Sequence, residues 1–186
     1  MNKKRLFSAV LISSLLLGAP IASAHVGVQL RGNTLVAGQS SRIYLSLGHG
    51  CTYKGTQYGT YIFSTMVPAT AGKPTPEFRQ GFKATVTPSK EVDAKNVPLN
   101  YTVTWTAKSR NWVIDPFTFS DFGIKVSWNA TPQKIFFQTT QTCYATLADG
   151  SKKALYLKWI QVDGTTPAAT EDTEFGPAPA VTTIAA

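Results

Sequence analysis

From residue 25 onward, apolar and polar positions alternate with a period of two. His25–Leu30 puts Val26, Val28 and Leu30 on one face, and Arg42–Leu47 does the same with Ile43, Leu45 and Leu47. Tyr58–Val67, Phe82–Thr87 and Leu99–Thr106 follow, the last with Leu99, Tyr101, Val103 and Trp105 on one side. Phe122–Trp128, Lys134–Thr139 and Ala154–Ile160 complete the series, the last alternating Leu155, Leu157 and Trp159. Short runs of this kind, rich in β-branched and aromatic residues and bounded by Gly, Pro, Asn or Asp, predict strands with one buried face. Asp149-Gly150, between two such runs, predicts a hairpin turn. No stretch in this region holds a helical period over about ten residues. About eight strands joined by short turns predict one all-β, antiparallel sandwich or barrel, here over residues 25–162. Residues 163–186 are rich in Thr, Ala and Pro with little periodicity. They predict an extended tail or a strap, of which Gly176–Ala186 is removable without unfolding the body.

The first 24 residues follow a different pattern. Lys3, Lys4 and Arg5 precede an apolar run from Leu6 to Leu17, Gly18 and Pro20 break it, and Ala22-Ser23-Ala24 is a small-x-small cut site. The run is too short for a membrane span, and the three parts together predict a secretory signal peptide, residues 1–24. Export makes the protein periplasmic or secreted. It also removes three of the 18 basic residues, so the formal charge falls from +8 to +5. The remaining Lys and Arg are scattered, which predicts solvated strand faces and no nucleic-acid partner. Nothing after the signal is long and apolar enough to serve as a membrane anchor.

Two Cys and two His in the whole chain exclude a Cys-rich zinc module, an iron–sulfur ferredoxin and any site needing three His. In an oxidising compartment, Cys51 and Cys143 predict a disulfide joining the two sheets; a catalytic or metal-binding thiol pair is the rival reading. Closing so long a loop is worth about 4–5 kcal/mol in the chain-entropy account. No nucleophile elbow, phosphate loop or dinucleotide fingerprint is present. Asn100-Tyr101-Thr102 and Asn129-Ala130-Thr131 match the glycosylation sequon by chance.

His25 carries the sharpest chemical signal, because cleavage after Ala24 makes it the first mature residue. A free N-terminal His offers the α-amine and ring Nδ1 to one metal. The amine has an ordinary pKa of about 7.7–8.0, so it yields its proton readily near neutral pH. Two nitrogens completed by oxygen suit tetragonal Cu(II). His49, in Gly48-His49-Gly50-Cys51 at a strand end, reads either as a second imidazole or as a surface turn residue.

Several short motifs then occur in a fixed order: Ala24-His25-Val26, His49-Gly50-Cys51, Thr104-Trp105-Thr106-Ala107, Phe119-Ser120-Asp121-Phe122-Gly123, Gln141-Thr142-Cys143, Trp159 and Gly176-Pro177-Ala178-Pro179. In this order they resemble the YcnI-like copper-binding domain of bacterial exported proteins. The resemblance implies an immunoglobulin- or cupredoxin-like β-sandwich. It implies one Cu(II) per chain in a single-histidine brace: His25, a carboxylate mapping to Asp121 where relatives often carry Glu, and a nearby indole mapping to Trp159. It also implies a role in copper uptake or homeostasis, without catalysis, beside CopC/CopD-type or copper-chaperone partners. The middle section from Ala69 to Asn96 departs from the family pattern, and Phe175-Gly176 stands where relatives carry Glu-His. Two alternatives remain: a copper-dependent oxygenase-like enzyme using His25 and His49, or an exported binding module without metal.

Overall fold

In the computed structural model, residues 26–165 and 167–186 are described. They contain fourteen strands: β1 (Gly27–Gln29), β2 (Ser40–Leu47), β3 (Cys51–Tyr53), β4 (Thr56–Tyr58), β5 (Thr60–Pro68), β6 (Thr75–Pro76) and β7 (Phe82–Pro88). β8 (Asn100–Ala107), β9 (Ser120–Ser127), β10 (Lys134–Phe136), β11 (Thr139–Thr146), β12 (Lys152–Gln161), β13 (Thr173–Pro177) and β14 (Ala180–Thr182) follow. One sheet has the order β1-β2-β9-β6 and the other β13-β12-β11-β5-β8-β7, with β3-β4 and β10-β14 as separate two-stranded ribbons. Helix among the described residues is limited to the single turns Ala69–Ala71 and Arg110–Trp112. No described helix is long and apolar enough to cross a membrane.

The core lies between the sheets, where alternation delivers it. Ile43, Leu45 and Leu47 from β2 and Phe122, Ile124 and Val126 from β9 are buried. β2 and β9 pair antiparallel without interruption from Ser40↔Ser127 to Leu47↔Ser120. The aromatic centre bridges the sheets: the Phe122 ring stacks on Phe63 of β5 at 4.1 Å, with Trp105 of β8 at 5.2 Å and Phe82 of β7 at 6.0 Å. Rings in contact at such distances add to their burial energy.

The strand pairs within residues 25–162 are antiparallel, as expected, and β13, beyond that span, adds to β12 in parallel. The structure corrects two expectations. The Cys51–Cys143 disulfide is present, with its Cα atoms 6.0 Å apart across a sequence separation of 92. It ties the β3-β4 ribbon to β11 of the six-stranded sheet, however, and does not link the two main sheets to each other. The segment after residue 162 is extended but not peripheral. β13 forms the edge of the six-stranded sheet, and β14 pairs with β10 through Ile135↔Val181. Ala178, Val181 and Thr183 are buried. Its removal would uncover apolar surface and leave the edges of β10 and β12 unpaired.

Candidate functional site

Asp121 is the predicted site residue around which the structure builds most. Phe122 points into the core, so strand alternation turns Asp121 and Gly123 to the outer face of the four-stranded sheet. Ser46 is the β2 partner of Asp121, and Gly27 of β1 is the partner of Ser46. One row across three strands therefore runs from Asp121 to a point two residues after His25. His25 itself lies outside the described residues.

Charged groups from three separate segments converge on this row. The turn Leu30–Asn33 closes with an Asn33 N–H to Leu30 carbonyl bond of 2.9 Å. Its two central residues, Arg31 (φ 49°) and Gly32 (φ 81°), adopt the left-handed region, which gives a mirror-image type I turn. The Arg31 guanidinium passes over the Tyr44 ring, 3.6 Å from its centroid, and donates to Asp121 Oδ2 at 2.6 Å. That bond raises the Arg31 pKa, so its charge is fixed. Arg79 donates to the Asp121 main-chain carbonyl at 3.0 Å and to the Ser120 hydroxyl, and lies over the Phe122 ring at 4.8 Å. Burial lowers the Arg79 pKa while the Asp121 charge opposes the shift; an arginine remains protonated throughout.

Glu77 joins from the loop after β6. Its N–H donates to the Gly123 carbonyl at 2.8 Å. A Cβ on residue 123 would collide with the Glu77 carboxylate and stand 3.0 Å from Tyr44 Cε1, so Gly123 makes room for the second acid. Arg31, Tyr44, Glu77, Arg79, Trp105 and Asp121 help to line a pocket of about 170 Å³. Two polar atoms here, Asp121 Oδ1 and Arg79 Nε, are buried without a hydrogen-bond partner among the described residues. Buried polar atoms of this kind call for a partner, whether ordered water or a bound group. The two acids and two arginines balance to zero net charge.

The other predicted residues lie elsewhere. His49 sits two residues beyond β2, its Nδ1 2.6 Å from the Gly50 carbonyl and its own carbonyl accepting from Gln141 Nε2 at 2.8 Å. A ring nitrogen that close to a carbonyl must carry the proton, which leaves Nε2 as the ring's free lone pair. Trp159 is buried in the core face of β12, between Thr139 of β11 and Gly176 of β13. It therefore belongs to the opposite sheet from Asp121. The indole that lines the Asp121 pocket is Trp105. Sequence reasoning quoted its motif but gave it no role, and it gave none to Arg31, Glu77 or Arg79. Among the described residues, no group of three or more His, Cys, Asp or Glu is close enough to hold a metal.

This arrangement defines an immunoglobulin-like β-sandwich with a polar corner on its smaller sheet. A crystal structure of an uncharacterized protein from Nocardia farcinica, described as revealing an immunoglobulin-like fold, superposes with a TM-score of 0.53 at 21% identity, covering 86% of this chain and 97% of that one. The family model described as "Domain of unknown function (DUF1775)" matches residues 25–183, and the chain belongs to that family. YcnI-like domains are the same family, so the resemblance in the ordered motifs holds at family level. No curated protein matches the chain.

Proposed function

We propose that the protein is exported, periplasmic or secreted, and holds or passes Cu(II) as cargo without catalysing a reaction. The amine and ring of His25 are the principal donors in this reading. The observation that carries it is the Gly27–Ser46–Asp121 row, ending on a carboxylate oxygen that is buried and has no partner among the described residues. The family match begins at residue 25, the first residue after the proposed cut.

The electrostatics rank the donors. Oδ2 of Asp121 is held by Arg31, so Oδ1 alone is free to serve a cation. With net charge near zero in the corner, Asp121 adds little long-range attraction, and affinity rests on the nitrogen chelate. Trp105, which lines the Asp121 pocket, is the indole placed to report a metal there, in the role the resemblance gave to Trp159. A copper-handling partner of the CopC/CopD or chaperone kind fits a carrier whose metal sits at a chain terminus.

The second reading is an oxygenase-like enzyme using His25 and His49, favoured by the free Nε2 of His49. Titration of protein beginning at His25, confirmed by mass, tests both readings. The carrier reading expects one Cu(II) per chain, loss of tight binding when one residue is added before His25, and no loss in His49→Ala. Loss in His49→Ala shifts the reading to the two-histidine enzyme. No copper binding at all leaves an exported module without metal.

A further inference from the structure

The six-stranded sheet carries a different site on its outer face. Where β5 pairs with β11, the register steps from Ile62↔Thr142 to Thr60↔Cys143 and skips Tyr61. Tyr61 is thus the extra residue of a β-bulge. A bulge of this kind re-aims a side chain and is found beside binding sites. Phe63, Thr65 and Val67 face the core, as does Thr60 below the bulge. Tyr61 instead meets Tyr144 edge-on, with ring centroids 5.5 Å apart at 79°.

The loop after β8 forms the second wall. It is fastened to the start of β5 by Thr60 N–H to Ile114 carbonyl and Ile114 N–H to Thr60 carbonyl bonds of 3.0 and 3.1 Å. Gly59 allows this approach, because a Cβ there would stand 2.6 Å from Val113 Cγ1 and collide with the Ile114 carbonyl. The loop brings Arg110 to the rim, and β12 brings Lys152. Gly59, Tyr61, Arg110, Val113, Tyr144 and Lys152 line a pocket of about 470 Å³. That volume falls within the usual small-molecule range of about 300–1,000 Å³. Neither cation is in an ion pair among the described residues; Lys152 donates only to the neutral Thr146 hydroxyl.

We infer that this groove binds a small organic anion consisting of a flat ring with a carboxylate. The tyrosine pair and Val113 would receive the ring, and Arg110 and Lys152 the charge. The edge-on geometry of Tyr61 and Tyr144 leaves ring surface free for an aromatic guest. Guanidinium and ammonium groups without acids of their own are open to charge-assisted hydrogen bonds. The site is on the opposite sheet from Asp121 and is independent of the copper reading.

The test is a titration of copper-free protein with 2-naphthoate, followed by the NMR signals of the Tyr61 and Tyr144 rings. We expect saturable shifts with a Kd of about 1 mM or tighter. Arg110→Gln with Lys152→Gln, both at the surface, should weaken binding about tenfold or more. The uncharged 2-naphthalenemethanol should bind the wild type weakly by a similar factor, and acetate, which has charge but no ring, should not saturate. Tyr144→Ala should abolish the Tyr61 shift. No saturation by naphthoate, equal binding by the double variant, or equal binding of the uncharged alcohol would each overturn the inference.

Discussion

The two outer faces of the sandwich handle charge in opposite ways. In the Asp121 corner, acids and arginines share one pocket: Arg31 holds Asp121, Arg79 approaches the same residue, and Glu77 closes over Gly123. In the Tyr61 groove, Arg110 and Lys152 have no ion pair among the described residues. A self-neutralised corner with one orphaned carboxylate oxygen suits a cation delivered by strong nitrogen donors. An uncompensated groove suits an anion that brings its own charge. Both faces use a glycine to admit a neighbouring segment, Gly123 for Glu77 and Gly59 for the Val113 loop.

The largest expected effect comes from beneath the corner. Phe122 is almost fully buried and supports Arg79, so Phe122→Ala should destabilise the protein by about 3–5 kcal/mol in urea unfolding. The groove, built on the other sheet, should still take up 2-naphthoate where this variant is folded. A loss of stability below about 1 kcal/mol would show that the corner does not share the core's packing.

Ending the chain at Pro177 should cost more than the roughly 1.5–3 kcal/mol expected for the burial of Val181 alone, because β14 and its pairing with β10 disappear. Unchanged urea unfolding would restore the view of this segment as a removable tail.

Arg31→Gln should leave stability nearly unchanged, since the Arg31 side chain is 52% exposed. It should nevertheless raise Cu(II) affinity by a few-fold, as Asp121 gains a second free oxygen and loses a neighbouring cation. Asp121→Asn should lower affinity by a similarly small factor. Calorimetric titration decides: a loss of copper binding in Arg31→Gln would contradict the competition between guanidinium and metal.

The smallest effect is pH-dependent. Glu171 accepts from Lys153 at 3.1 Å and from the Tyr53 hydroxyl at 2.9 Å, and these bonds hold its pKa below the ordinary 4.5, Lys153 first. A depressed carboxyl pKa adds stability above the unfolded value and loses it as pH falls through the folded one. The melting temperature of Glu171→Gln should therefore lie slightly below wild type at pH 7 and meet it under acidic conditions below pH 4.5. An equal gap at both pH values would remove the charge from this explanation.

The fold was legible wherever inward positions are large and apolar. β2, β8, β9 and β12 were predicted close to their observed bounds for this reason. β11 was not, although it lies inside the six-stranded sheet. Its inward residues are Thr139, Gln141, Cys143 and Ala145, polar or small, and Gln141 Nε2 donates within the core to Thr60 Oγ1 and the His49 carbonyl. β13 and β14 were hidden by a composition of Pro, Ala and Thr that gives no period. Of the corner, Asp121 was found through its motif. Arg31, Glu77 and Arg79 converge from distant segments, and no local spacing announces that convergence. The groove depends on a bulge at Tyr61, a register feature that single-strand alternation does not encode.

Pulsed spin resonance of Cu(II)-loaded protein beginning at His25 tests the central claim most directly. The account predicts coupling to one imidazole and one amine nitrogen, unchanged in His49→Ala and absent when one residue precedes His25. Coupling to two imidazoles, or the same spectrum from the extended protein, would contradict it.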